Sequence, residues 1–136
     1  MQAEEFGHLA DGLLTHKAVL GCNDALRRTC IGRYYYQTFH IVRDWLITNH
    51  NSDWENMRGT THERLRLCCE QLSEQLHNND FEKLAKKLKM LHDLRTRSDY
   101  KLDQKVSEGD LTTVSIEKDR AIALVNKLIL QYAQAS

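Results

Sequence analysis

The 136-residue sequence contains no proline and only six glycines. Proline removes a backbone donor and breaks a helix interior, and glycine weakens one, so few obligate breakers interrupt the chain and helices joined by short links are the simplest reading. Neither sign of charge is in excess, since Lys plus Arg and Asp plus Glu both total 19. Without a bulk positive field to steer polyanions, constitutive nucleic-acid binding by net charge is disfavoured, and only a local basic patch stays open. No apolar run approaches the length of a membrane span, and the opening MQAEEF carries acids where a signal peptide carries bases. No CxxC occurs among Cys22, Cys30, Cys68 and Cys69, and a vicinal pair on a helix is a poor disulfide framework. Free thiols in a reducing compartment follow, so the expected location is the cytoplasm, with no membrane partner. Also absent are a Gly-rich phosphate loop, GxSxG, an RNA-reading aromatic motif, and the HxxxH or HExxH spacing that sets two imidazoles on one helix face. No cofactor and no metal site are expected.

What is present is enough apolar content, 41%, for one domain over 1–136 with one core. A first helix over 2–15 gathers Phe6, Leu9, Ala10, Leu13 and Leu14 on one side, weakened by Gly7 and Gly12. After a break at 16–21, Asn23 or Asp24 can cap a long second helix running to about Asn49. Its apolar face includes Ile31, Tyr34, Tyr35, Phe39, Val42, Trp45 and Leu46, and Arg33, Gln37, His40 and Asp44 lie opposite. The polar segment 49–60 reads as a loop anchored by Trp54. Thr60 and Glu63 have capping-box spacing and open a third helix with Leu65, Cys68 or Cys69, Leu72 and Leu76 on its core line. The fourth helix lies within 81–103, the charged stretch 101–113 reads as an irregular strap, and a last helix starting near Ser115 buries Ala121, Leu124, Val125, Leu128 and Tyr132. The fold class is therefore all-α, an up-and-down bundle of about five helices.

The fourth helix carries the main functional clue. Leu84, Leu88 and Leu91 form one apolar line, and the next residue on it is Arg95, followed by Ser98 and Asp99. A buried guanidinium costs several kcal/mol unless acceptors meet it, and Asp99, one turn on, is the local partner. If the hairpin joining the third and fourth helices turns between Asn78 and Asn79, His62 stands level with Arg95, so Arg95, Asp99 and His62 share one pocket. An arginine to hold phosphate and a histidine titrating near neutrality are the minimum for metal-independent RNA cleavage by the adjoining 2′-hydroxyl. The plainer reading of the same residues is a structural Arg–Asp pair beside a hydrogen-bonded histidine. A second cluster, Arg33, Tyr36, Gln37, His40 and Asp44, suits nucleotide stacking, a dimer contact, or a solvated face. Lys83, Lys86, Lys87 and Lys89 fall on the far side of the leucine line and read as solvated.

Residues 32–40, GRYYYQTFH, and 95–100, RTRSDY, resemble two motifs of the HEPN domain superfamily. Small stand-alone prokaryotic members carry Ser-Arg-Ala-Tyr-Tyr-Ala-Ala-Phe-His on one helix, matched here at Arg33, Tyr35, Tyr36, Phe39 and His40. They end a later helix with Arg-x-x-Ala-Asp-Tyr, matched at Arg95, Asp99 and Tyr100, and His62 corresponds to a histidine opening their third helix. The resemblance implies a HEPN-like bundle that forms a homodimer and acts as an RNase toxin or defence component, often beside a nucleotidyltransferase or an antitoxin. It also implies an RNA or nucleotide ligand bound by Arg95, Asp99, Tyr100, Arg33, Tyr36 and His40, with Arg95 and His62 as candidate catalytic residues. Catalytic members place a histidine four to six intervening residues after the arginine, whereas Tyr100, Lys101 and Leu102 occupy those positions here. The activity implied is thus either RNA cleavage or binding alone, with a non-catalytic adaptor as the alternative.

Overall fold

The computed structural model describes residues 2–17 and 23–133. Cys22 and most of the expected break at 16–21 lie outside them. The described residues form six helices and no strand: α1 (Glu4–Thr15), α2 (Asn23–Asn49), α3 (Asn51–Asn56), α4 (Thr61–Leu76), α5 (Asn79–Tyr100) and α6 (Glu108–Tyr132). No helix among them is long and apolar enough to cross a membrane.

α2 is the central rod, and it packs against α1, α5 and α6. A helix enclosed on several sides buries residues around its circumference, which is why Leu26, Cys30, Tyr34, Tyr35, Thr38, Val42 and Leu46 are all buried although they do not share one stripe. Contacts run in opposite chain directions from α1 to α2 (Ala10 with Cys30, Phe6 with His40) and from α2 to α5 (Arg28 with Ser98, Trp45 with Phe81). The same holds from α5 to α6, where Lys87 meets Glu117 and Asp80 meets Lys127. These pairs therefore alternate up and down.

Local chemistry sets most boundaries. Thr60 and Glu63 form the expected capping box. α4 ends at His77, whose left-handed backbone (φ 51°) turns the chain, and the Asn78 side chain accepts from the Asp80 amide to start α5. So short a link makes α4 and α5 antiparallel neighbours.

Three expectations need correction. The 49–60 loop contains a helical turn, α3, which buries Trp54, and Arg64 stacks on the indole at 4.5 Å while donating to the Trp54 carbonyl at 2.8 Å. The strap spans only 101–107, because Ser107 and Asp110 form a second capping box and start α6 well before Ser115. Gly109 in that first turn disguised it. Of the α2 cluster read as stacking, dimer contact or solvated face, Gln37 is buried under α1 with Arg33 and His40 half-buried beside it, and only Asp44 is exposed. Gly7 makes this possible, since a Cβ there would lie 2.6 Å from the Gln37 Cδ. The glycine that weakens α1 as a helix lets it dock.

Candidate functional site

Arg95 is only 8% exposed and lies on the buried line of α5. Its Nε stands 2.9 Å from Asp99 Oδ2, but the N–H is not aimed at an acceptor, so the contact is an ion pair rather than a hydrogen bond. Nη2 donates to the Tyr36 hydroxyl from α2 and to the Tyr100 hydroxyl at 3.2 Å. The guanidinium carbon lies 5.0 Å from the centroids of both tyrosine rings. A planar, weakly hydrated cation between two π faces is stabilised without giving up every N–H, and Nη1 donates to no described protein group. Gly32 supports the pair from α2: a Cβ there would sit 3.3 Å from Asp99 Oδ1, tighter than side chains ordinarily approach. With Tyr100 67% exposed, the aromatic clamp opens outward to solvent.

The hairpin register differs from expectation by about one turn. His62 stands opposite His92, not Arg95, with ring centroids 4.6 Å apart, and its Nδ1 is hydrogen-bonded to the Tyr35 hydroxyl. α4 and α5 are staggered relative to a turn centred on 78 and 79, because the left-handed residue is His77. Arg95 is still near enough to act on His62 electrostatically. His62 therefore adjoins the Arg95 clamp through Tyr35 and Tyr36, whose rings are 5.7 Å apart, rather than sharing one pocket with it.

A histidine titrating near neutrality is also not found there. Burial, then His92, Arg95 and Arg66, push His62 down to about 4, so its imidazole is neutral at pH 7. Burial, followed by Arg66, lowers His92 as well. The unfolded chain, with histidines near 6.5, binds the extra proton between that value and about 4. Stability is thus complete above the unfolded value and falls as pH drops through the folded one. Because the ring keeps some solvent contact, the expected loss from pH 7.5 to 4.5 is about 2 kcal/mol. Urea midpoints at the two pH values measure it, and His62→Gln should flatten the dependence. A wild-type midpoint unchanged across that range would contradict the neutral assignment.

Of the other predicted residues, Tyr36 joins the two groups. Arg33 and His40 lie beyond it against α1, with Arg33 5.9 Å from the Phe6 ring centroid and His40 stacked on Phe6 at 5.5 Å. Burial and then Arg43 lower His40. Neither Arg33 nor His40 is among the polar partners of Arg95, which are Tyr36, Tyr100 and Asp99. Cys30 and Cys68 are buried thiols pushed up to about 11 by burial, and Cys69 is pushed up too, so these three are poor nucleophiles. Among the described residues no three metal-type ligands converge.

Sequence reasoning missed two residues. His92 gave no signal, because its partner is set by register. Arg28 could have been found, since Asp24 and Arg28 have ion-pair spacing, but its other contacts are distant in the chain.

No family model matches the sequence. No solved structure matches it significantly. Among curated proteins, the "Uncharacterized protein MJ0992" of Methanocaldococcus jannaschii is 30% identical over 136 residues, covering 93% of this chain and 73% of that protein.

Proposed function

This chain belongs to the same family as the archaeal protein MJ0992, and from its Arg95 site we propose that it is a HEPN-like module binding RNA or a nucleotide in a cytoplasmic toxin-antitoxin or phage-defence system. The observation that carries this reading is the clamp itself. A buried arginine faces two tyrosine rings, one of them largely exposed, and keeps Nη1 uncommitted. An incoming phosphate would take Nη1 and compete with Asp99, whose side chain is 32% exposed and can swing to solvent, while a base stacks on Tyr100.

The role is binding rather than cleavage. A neutral His62 that already shares Nδ1 with Tyr35, and the absence of histidine at 100–102, leave no residue titrating near neutrality beside Arg95 to act as the acid. Purified protein incubated with tRNA and mRNA in EDTA is expected to leave both intact. Labelled RNA should bind, and Arg95→Leu should weaken that binding at least about tenfold, the loss of one charge-assisted contact. Cleavage abolished by Arg95→Leu would replace the binding role with an RNase, and equal binding by wild type and variant would end the proposal.

The adaptor reading draws on a different surface. Leu76 and Leu130 are exposed beside His77 and Tyr132 in an open groove of about 1180 Å³ where α4 meets the end of α6. Two exposed leucines set among polar lining residues suit a protein contact such as homodimerisation or pairing with a nucleotidyltransferase or antitoxin. A monomer in solution, with no partner encoded alongside it, would remove that support.

A further inference from the structure

One turn from the Arg95 clamp lies a second group of basic residues that the clamp does not use. On α4, Arg66 follows His62 at the i to i+4 spacing and so shares its face. Arg66 Nε is buried with no hydrogen-bond acceptor. Arg66 takes part in none of the ion pairs among the described residues. Arg66 is half-buried, and a buried N–H left this way is costly unless an acceptor meets it.

The neighbouring groups sharpen that demand. His62 and His92 face each other across the α4–α5 groove at 4.6 Å between centroids. Because the helices are antiparallel, Arg66 flanks this pair on the hairpin side and Arg95 flanks it on the other. α2 contributes the Tyr35 hydroxyl on His62 Nδ1. The remaining charged groups around the pair are Lys89 and Asp93 on α5, and Asp93 is already paired with Lys89 at 3.0 Å. Asp99 is likewise paired with Arg95. Cations and uncharged imidazoles thus line the groove; Asp93 and Asp99 are paired, and Glu70, one turn beyond Arg66, is exposed and in no ion pair among the described residues. The chain has no net charge overall, so this is a local feature.

We propose that Arg66 and the His62–His92 pair form an oxyanion site for a phosphate dianion, free or as a phosphomonoester, and that the site takes up a proton from solvent when the anion binds. Arg66 supplies two N–H donors in a fork that matches phosphate oxygens. The two imidazoles are held deprotonated by burial and by the flanking cations, and a dianion at the edge of the packed pair, beside Arg66, reverses that balance, so one histidine protonates and becomes a donor. Binding of the dianion therefore tightens on acidification down to the ligand's own second ionisation, about 6 for a phosphomonoester. Below that the monoanion gives up a proton on binding and the gain stops. Arg95 acts on this site only as a neighbouring charge, so the site stands whether or not the clamp binds RNA.

The test is an NMR titration of the full chain at constant ionic strength, following the ring protons of His62 and His92 with inorganic phosphate, AMP, adenosine and chloride. Phosphate and AMP should bind saturably, with one histidine's titration midpoint raised in the complex, and affinity should rise by up to about tenfold per pH unit only above the ligand's second ionisation, about 6 for a phosphomonoester, and level off below it. Arg66→Ala should weaken phosphate binding about tenfold, Arg66→Lys should retain part of it, and His92→Gln should remove the pH dependence. Tyr100→Ala, which opens the clamp without removing a charge beside the histidines, should leave phosphate binding in place even where it weakens RNA binding, which separates the two sites. Histidine shifts matching those from chloride, adenosine moving the two histidine rings as far as AMP does, or an unchanged affinity in folded Arg66→Ala would each overturn the proposal. If Arg66→Ala fails to fold, unchanged phosphate affinity in Arg66→Lys together with an unaltered pH dependence in His92→Gln would do the same.

Discussion

Arg28→Ala is expected to lower stability by about 4 kcal/mol, the largest effect of any single truncation considered for this chain. Arg28 is buried, and its guanidinium gathers backbone oxygens that no helix can satisfy by itself. Nη1 lies 3.2 Å from the carbonyls of Arg97 and Ser98 and 3.3 Å from that of Lys101, and Nη2 donates to Gln104 O. Nε donates to Asp24 at 2.9 Å. One cation thus closes the C-terminal end of α5, where the helix dipole favours positive charge, and ties the strap to α2. Alanine would strand several acceptors, each worth about 1 to 3 kcal/mol when left buried, though water can reach those in the exposed strap. Urea unfolding gives the total. Hydrogen exchange should locate it, through faster exchange of the Lys101 and Gln104 amides that now bond to Arg97 O and Lys101 O. Arg28→Lys should recover only part, because a point ammonium cannot span four carbonyls. A loss below about 1 kcal/mol would show that the strap holds without it. Since the last turn of α5 carries Asp99 and Tyr100, Arg28→Ala should also loosen the clamp around Arg95.

The second large effect contrasts two changes at one ion pair. Asp99→Ala leaves the Arg95 guanidinium buried with only tyrosine partners, and should cost about 3 kcal/mol, somewhat under the usual loss for a broken buried pair because Asp99 is partly solvated. Arg95→Leu removes the charge where the leucine line continues, freeing Asp99 to turn outward, and should change stability by less than about 1 kcal/mol. Thermal and urea unfolding of the two variants decide the matter. If Arg95→Leu proved as damaging as Asp99→Ala, the arginine would be a structural requirement, and its claim to a binding role would weaken. If both variants matched wild type, the pair would be exposed in solution.

Several features were legible because they depend on neighbours a few residues away. The capping box at Thr60 and Glu63, the leucine line of α5 and the arginine interrupting it, and Trp54 as an anchor all follow from local spacing. The second capping box at Ser107 and Asp110 was equally local, but Asp110 is a less usual partner than glutamate, and the polar stretch around Gly109 resembled a strap. Other features depended on parts of the chain brought together from afar. His62 meets His92 because of a stagger between two helices, and Gly7 and Gly32 matter only because Gln37 and Asp99 lie against them.

The order of residues alone determined that this protein is helical, roughly where its helices run, and that a cation sits on the buried line of α5, since helix formation and amphipathic burial answer to periods of three and four residues. Only the tertiary structure decided what that cation touches, which histidines face each other, and that Arg28 holds the end of α5. Those outcomes depend on how far one rod slides along another, and a shift of a single turn exchanges every partner while leaving each rod's own pattern intact.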